Sequence, residues 1–376
     1  MKIVIASDSY KGSLNSGEVA GAIEKGIKNV MEAEIVKMII ADGGEGTVDA
    51  LVDARGGSYG HMVVSDPLGR SINAKYGVIG DAAVIEMAAA SGITLLKEEE
   101  RNPLITTTFG TGQLIKGALD SGCRRIYIGI GGSATNDGGL GMAQALGVSF
   151  TDKAGNELGS GGGELSKLYD IDIKNLDPRI KNTEIIIISD VTNPLCGEKG
   201  ASNVYGPQKG ADKEMIKTLD NNLLHYADVI KERLHKDILN IPGSGAAGGL
   251  GAGLIAMLNA KLCRGIETVL DLIGIDGHLK GSDLVITGEG KIDGQSIFGK
   301  VPVGVGKRAM KYNVPVIAIV GSVGEDYEKV YEHGINAVID IVNRPMKLSE
   351  AVENASYLIE KAAENAMRIY SINRRA

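Results

Sequence analysis

Apolar runs of strand length recur at both ends of this chain, each ending in a polar loop and most followed by a helical pattern. Residues 2–6 (KIVIA) end in SDSYKGSLNS, and after Ser16 the apolar positions Val19, Ala20, Ile23 and Ile27 take up helical spacing. Residues 35–40 end in ADGGEGT, and residues 47–54 read as a helix stopped by Gly56 and Gly57. The rhythm returns late in the chain. Residues 284–287 run into GEGKIDGQS, residues 314–320 into GSVGED, and 337–342 is a third run. A last helix carries Ala351, Ala355, Leu358, Ile359, Ala362, Ala366 and Ile369 at three-four spacing. Strand–helix alternation demands parallel pairing with right-handed crossovers. The fold class this predicts is α/β: a doubly wound parallel sheet of the flavodoxin or Rossmann type, built from residues 1–60 and 281–376.

Between these segments the spacing tightens. Runs at 61–64, 74–78 and 83–87 are separated by SDPLGR and IGD, too little chain for a helical crossover, so hairpins are expected. Residues 61–280 are therefore predicted to form an inserted α/β domain with a mixed sheet. That region holds the run 184–188, whose isoleucines suit a strand buried on both faces and central in its sheet. Helices are expected over 213–234 and 254–262. A length of 376 residues suits two cores better than one.

Composition excludes several function classes. The formal charge is −7 and no useful Lys/Arg cluster occurs, which argues against a nucleic-acid surface. No run approaches the ~20 apolar residues of a membrane span. Cys123, Cys196 and Cys263 are far apart, with neither zinc spacing nor a disulfide framework, which suits a reducing cytoplasm. The first residues read as a core strand rather than a signal peptide. A monomer or homodimer acting on small molecules is expected. Glycine is the outlier: 53 residues, about twice the usual share, clustered after apolar runs.

The densest cluster is 129–141, GIGGSATNDGGLG, between an apolar run and a small-residue helical pattern. Strand, glycine turn and helix start is the layout that aims backbone N–H groups at an anion. In a parallel sheet all such loops share one edge, where ligands bind. The loops carry Asp8 and Lys11, Asp42 and Glu45, Asp137, Asp190 and Asn193, and Glu289 and Asp293. Carboxylates beside anion-binding turns make sense when Mg²⁺ bridges them to a phosphate, or when one is a base. No G-x-x-x-x-G-K-[ST] is present, and no G-x-G-x-x-G follows the first strand.

Taken in order, the loops resemble the bacterial-type glycerate kinase family, the glycerate 2-kinase group. The matching stretches are SDSYKGSLNS, ADGGEGT, DPLGR, TTTFGTGQLI, GIGGSATNDGG, SDVTNPLCG, YGPQKGA, PGSGAAGGLGAG, TGEGKIDGQS and GKVPVGV, covering nearly the whole chain. The resemblance implies phosphorylation of D-glycerate by ATP with Mg²⁺, to 2-phosphoglycerate, in a cleft between two domains. Roles then follow from the chemistry of phosphoryl transfer. Asp190 is the expected base, with Asp293 second and Lys11 as the catalytic cation. Asp8, Arg70, Asn193 and Ser296 are expected to bind substrate. Gly131, Gly132, Ser133, Thr135, Asn136, Gly245, Gly249 and Gly251 are expected to hold the nucleotide, and Asp137, Asp42, Glu45 and Glu289 the metal. Other readings stay open: a kinase for another small hydroxy acid, a galactokinase- or homoserine-kinase-like enzyme suggested by PGSGAAGGLGAG, a nicotinamide-dependent dehydrogenase, or a two-domain binding protein.

Overall fold

The computed structural model describes residues 1–40, 44 and 46–372, so Asp42 and Glu45 lie outside the described residues. By backbone packing the chain forms two compact units. One comprises Met1–Asp42, Asp49–Arg55 and Gly265–Ala376; the other comprises Gly43–Val48 and Gly56–Arg264. The helix Gly265–Ile273, in the middle segment by sequence, thus packs with the chain ends.

The first unit is built on a five-stranded parallel sheet. Its order is Ala337–Asp340, Val316–Val320, Leu284–Glu289, Lys2–Ser7, Glu34–Ile39. The strand Lys2–Ser7 is apolar from Ile3 to Ala6 because it is inner and covered on both faces. Ile3 and Ile5 pack with Ile23 and Ile27 of the helix Ser16–Lys28 and with Ile359, Ala363 and Met367 of the helix Ala355–Tyr370. Those two helices pass so closely that a side chain on Gly26 would meet the Glu360 carbonyl. Asn15 and Glu18 close a capping box that fixes where Ser16–Lys28 begins.

The second unit holds a six-stranded mixed sheet, ordered Lys261–Cys263, Glu184–Ile188, Arg125–Gly129, Ala82–Glu86, Ser71–Ile79, Ser58–Ser65. The first four strands are parallel and the last two antiparallel. The hairpin turns on Asp66, whose carboxylate accepts from the N–H groups of Leu68 and Arg70. Glu184–Ile188 is buried as expected but sits second from the edge rather than at the centre, because Lys261–Cys263 supplies only a short outer strand. The expected helix at 254–262 is Leu250–Leu258 instead, ended by Asn259 in the left-handed region (φ 53°), which frees the next residues to pair as that strand. Among the described residues no helix is long and apolar enough to cross a membrane.

Candidate active site

At the carboxyl edge of the first unit's sheet, parallel register sets Ser7 beside Gly288, and therefore brings Asp8 alongside Glu289. Glu289 is only 3 % exposed. One of its oxygens accepts the Ser296 hydroxyl at 3.0 Å, and the other accepts the Lys300 ammonium at 3.0 Å. Burial pushes its carboxyl up, against the pull of Lys300. The Ser296 hydroxyl also accepts the backbone N–H of Asp293 at 3.1 Å, and Lys291 lies 3.1 Å from the Asp293 carboxylate. Burial opposes ionisation of Asp293, but Lys291 and the Gln295 N–H together hold it below the usual carboxylate range. The backbone at Tyr10 and Lys11 runs past Gly290. The predicted residues Asp8, Lys11, Glu289, Asp293 and Ser296 are thus gathered at one edge. Lys300 was not foreseen. Its signal in the sequence is a lysine just before a proline-opened helix, Val301–Met310.

In the second unit, residues 129–141 leave the strand Arg125–Gly129 with Gly131 and Gly132 exposed and everything from Ser133 to Leu140 buried. Neighbours clamp the segment. Ala134 N–H donates to Ser91 O at 3.0 Å, Ile93 N–H to Gly132 O at 2.9 Å, and the Thr106 hydroxyl to Ala134 O at 2.9 Å. Asp137 is fully buried. Its oxygens accept the Thr108 N–H and hydroxyl, both at 2.8 Å, and the N–H groups of Gly139 and Gly141 at 3.1 and 3.3 Å. Burial nonetheless raises its carboxyl above the ordinary value. Behind the loop lies Lys209, 2 % exposed, whose ammonium donates to Thr135 O at 2.7 Å. Burial drives this amine down to about 7, partly offset by the charge of Asp137. No local pattern in YGPQKGA announces a buried lysine.

The other expected site residues are placed as follows. Asp137 and Glu289, expected to hold the metal, both have oxygens that accept hydrogen bonds within the protein. Thr135 and Asn136 are wholly buried. Gly245, Gly249 and Gly251 are buried, and their N–H groups already donate to Asn193 O, Gly245 O and Ala246 O. These glycines serve close packing. A side chain on Gly245 would strike Pro194 O, and one on Gly249 would lie 2.9 Å from the α-carbon of Gly138. Asn193 is a structural hub: its amide donates to Lys199 O at 2.7 Å, accepts the Tyr205 hydroxyl at 2.9 Å, and its carbonyl takes the Gly243 and Gly245 N–H groups. Arg70 is spread over Asp66, Glu100 and Leu95 O. Asp190 follows the strand Glu184–Ile188, half-buried, on the edge that also carries Gly131 and Gly132.

The family model described as "Glycerate kinase family" matches residues 3–371. The chain belongs to the glycerate kinase family. It is an enzyme of that kind, phosphorylating glycerate. The chain is 53 % identical to the glycerate 2-kinase of Escherichia coli K12, over 100 % of this chain and 99 % of that one. It is 51 % identical to the glycerate kinase of Bacillus subtilis 168, over 97 % and 96 % of the two. A crystal structure from Salmonella typhimurium LT2 designated a glycerate kinase 2 superposes with a TM-score of 0.87 at 49 % identity, covering 100 % of this chain and 99 % of that one. For this glycerate kinase family member, the galactokinase-like reading of PGSGAAGGLGAG falls with the family assignment.

Proposed function

We propose that the enzyme transfers the terminal phosphoryl group of ATP, accompanied by Mg²⁺, to the 2-hydroxyl of D-glycerate, releasing ADP and 2-phosphoglycerate. The observation that carries this reading is end-to-end similarity at 53 % identity to a relative named glycerate 2-kinase. Asp190 serves as the base that takes the glycerate hydroxyl proton as the new O–P bond forms and the bond to ADP breaks. Lys11 meets an anionic group of a substrate, and Lys300, steered by the buried Glu289, is a second cation for that task. Asp293 and Ser296 fix the 289–300 segment around Glu289. The exposed turn at Gly131 and Gly132, with Ser133, offers backbone N–H groups to phosphate oxygens.

The chemistry of the donors fits Mg²⁺. Among the described residues no group of three His, Cys, Asp or Glu comes together. Mg²⁺ on a nucleotide needs only one or two carboxylates, since phosphate and water oxygens complete its shell. Asp8, at the end of Lys2–Ser7, would supply one such oxygen. The ion supplies charge neutralisation on the transferring phosphoryl group. The free cysteines suit a cytoplasmic enzyme. Incubation with ATP, Mg²⁺ and D-glycerate, with ADP assayed and the product identified by ³¹P NMR, tests the reading. A product phosphorylated at the 3-position would overturn the regiochemistry, and no ADP would overturn ATP as donor.

A further inference from the structure

Lys209 is the least expected side chain in the second unit. A buried ammonium is costly unless its donors are satisfied. Yet among the described residues its ammonium has one acceptor, Thr135 O at 2.7 Å. Methionine or leucine would close the same turn without that cost, so the contact itself is what the lysine provides.

The structure goes to some length to deliver it. Pro207 opens a 3₁₀ turn, Pro207–Lys209, and Gly210 ends it at φ 90°, pressed so closely on Arg101 that a side chain there would strike its carbonyl. The same bracket holds its neighbours. Ser202, in the helix Ala201–Tyr205, accepts the Asn136 amide at 3.0 Å, and the Tyr205 hydroxyl reaches Asn193. On the far side, Gly138 N–H donates to Gly248 O at 3.0 Å. The base of the loop is therefore braced from two directions. It is still not fully satisfied: the Thr135 hydroxyl and the Asn136 side-chain oxygen are buried without a hydrogen-bond partner among the described residues. Buried polar groups left short of partners mark places where function outweighs stability.

We propose that Lys209 is a positioning residue for nucleotide binding: by holding the Thr135 carbonyl it keeps the exposed turn at Gly131 and Gly132 shaped for the phosphates of ATP. This rests on the reading that the turn takes those phosphates. Lys209 touches neither substrate; it acts through the backbone three to four residues away from the turn.

The test compares wild type, Lys209→Met and Gly132→Ala, by steady-state kinetics in ATP and D-glycerate and by direct titration with ATP. Gly132 has φ 73°, so alanine strains the turn itself. The expected result for Lys209→Met is a rise in KM and Kd for ATP of about tenfold, the scale of one hydrogen bond, with kcat and the KM for glycerate within about twofold. Lys209→Gln, which keeps an N–H donor, should recover part of the affinity, and it carries the comparison if the methionine variant does not fold. If Gly132→Ala weakens ATP while folded Lys209 variants bind it normally, the proposal is overturned and the phosphate reading stands. If neither substitution changes ATP binding, the phosphate reading fails and takes the proposal with it. A Lys209 variant that raises both KM values alike, or lowers kcat alone, also overturns it.

Discussion

Lys209→Met should change the pH dependence of stability in a way that surface substitutions do not. In the folded protein, burial lowers this amine to about 7. In the unfolded chain it titrates near the ordinary lysine value of roughly 10.4. Between those values the unfolded chain binds a proton that the folded one does not, so stability rises with pH across the interval. The contribution is fully present above the ordinary lysine value and is lost as pH falls toward 7. One proton corresponds to at most ~1.4 kcal/mol per pH unit, and integrating between pH 7 and 9 gives about 2 kcal/mol. Methionine removes this component, and its lost hydrogen bond to Thr135 adds an offset that does not depend on pH. The measurement is urea denaturation of both proteins at pH 7, 8 and 9. With two compact units the whole curve is not treated as two-state, so the transition followed is the one the substitution moves. The stability of wild type relative to variant should climb by about 2 kcal/mol from pH 7 to 9. A difference that stays flat over that range would refute the reasoning and return Lys209 to an ordinary, solvated amine.

Other substitutions test the packing and the chemistry. Gly248→Ala would drive a methyl group into Thr135 O and to 2.6 Å from the α-carbon of Asn136, at φ 69°, and should cost about 3 kcal/mol or more, seen as a collapsed melting temperature. Gly21→Ala, inside the helix Ser16–Lys28 with nothing within 4 Å of the new methyl group, should instead stabilise by roughly 0.5–1 kcal/mol and raise that temperature. Asp190→Asn should lower kcat by about 10²-fold while leaving the KM for ATP nearly unchanged; near-normal kcat in a folded variant shifts the base to Asp293. EDTA should abolish ADP production and added Mg²⁺ restore it; full turnover without a divalent ion would contradict the metal's part.

Much of the architecture was legible in local pattern. Residues 2–6 and 284–287 are apolar at every position or nearly so because their strands are covered on both faces, and that covering leaves its mark residue by residue. The short spacing between 61 and 87 required a hairpin, and Asp66 with Gly69 supplied its turn. The apolar spacing after Ser16 marked the helix that begins there. Even the gathering of Asp8, Glu289, Asp293 and Ser296 followed from one rule, that parallel strands share a carboxyl edge.

What the sequence left open was which of those polar residues remain available for chemistry. Asp137, Asn193, Arg70 and the glycines at 245, 249 and 251 looked, as residue types, like ligands for phosphate, metal or carboxylate. Tertiary contacts engage many of their polar groups. Asp137 is taken by Thr108, 29 positions away; Asn136 by Ser202, 66 away; and Thr135 O by Lys209, 74 away. Turn formation and amphipathic periodicity are local and write themselves into neighbouring residues. The satisfaction of a buried polar group depends on whatever the fold brings against it, and that is decided only when distant segments close on one another.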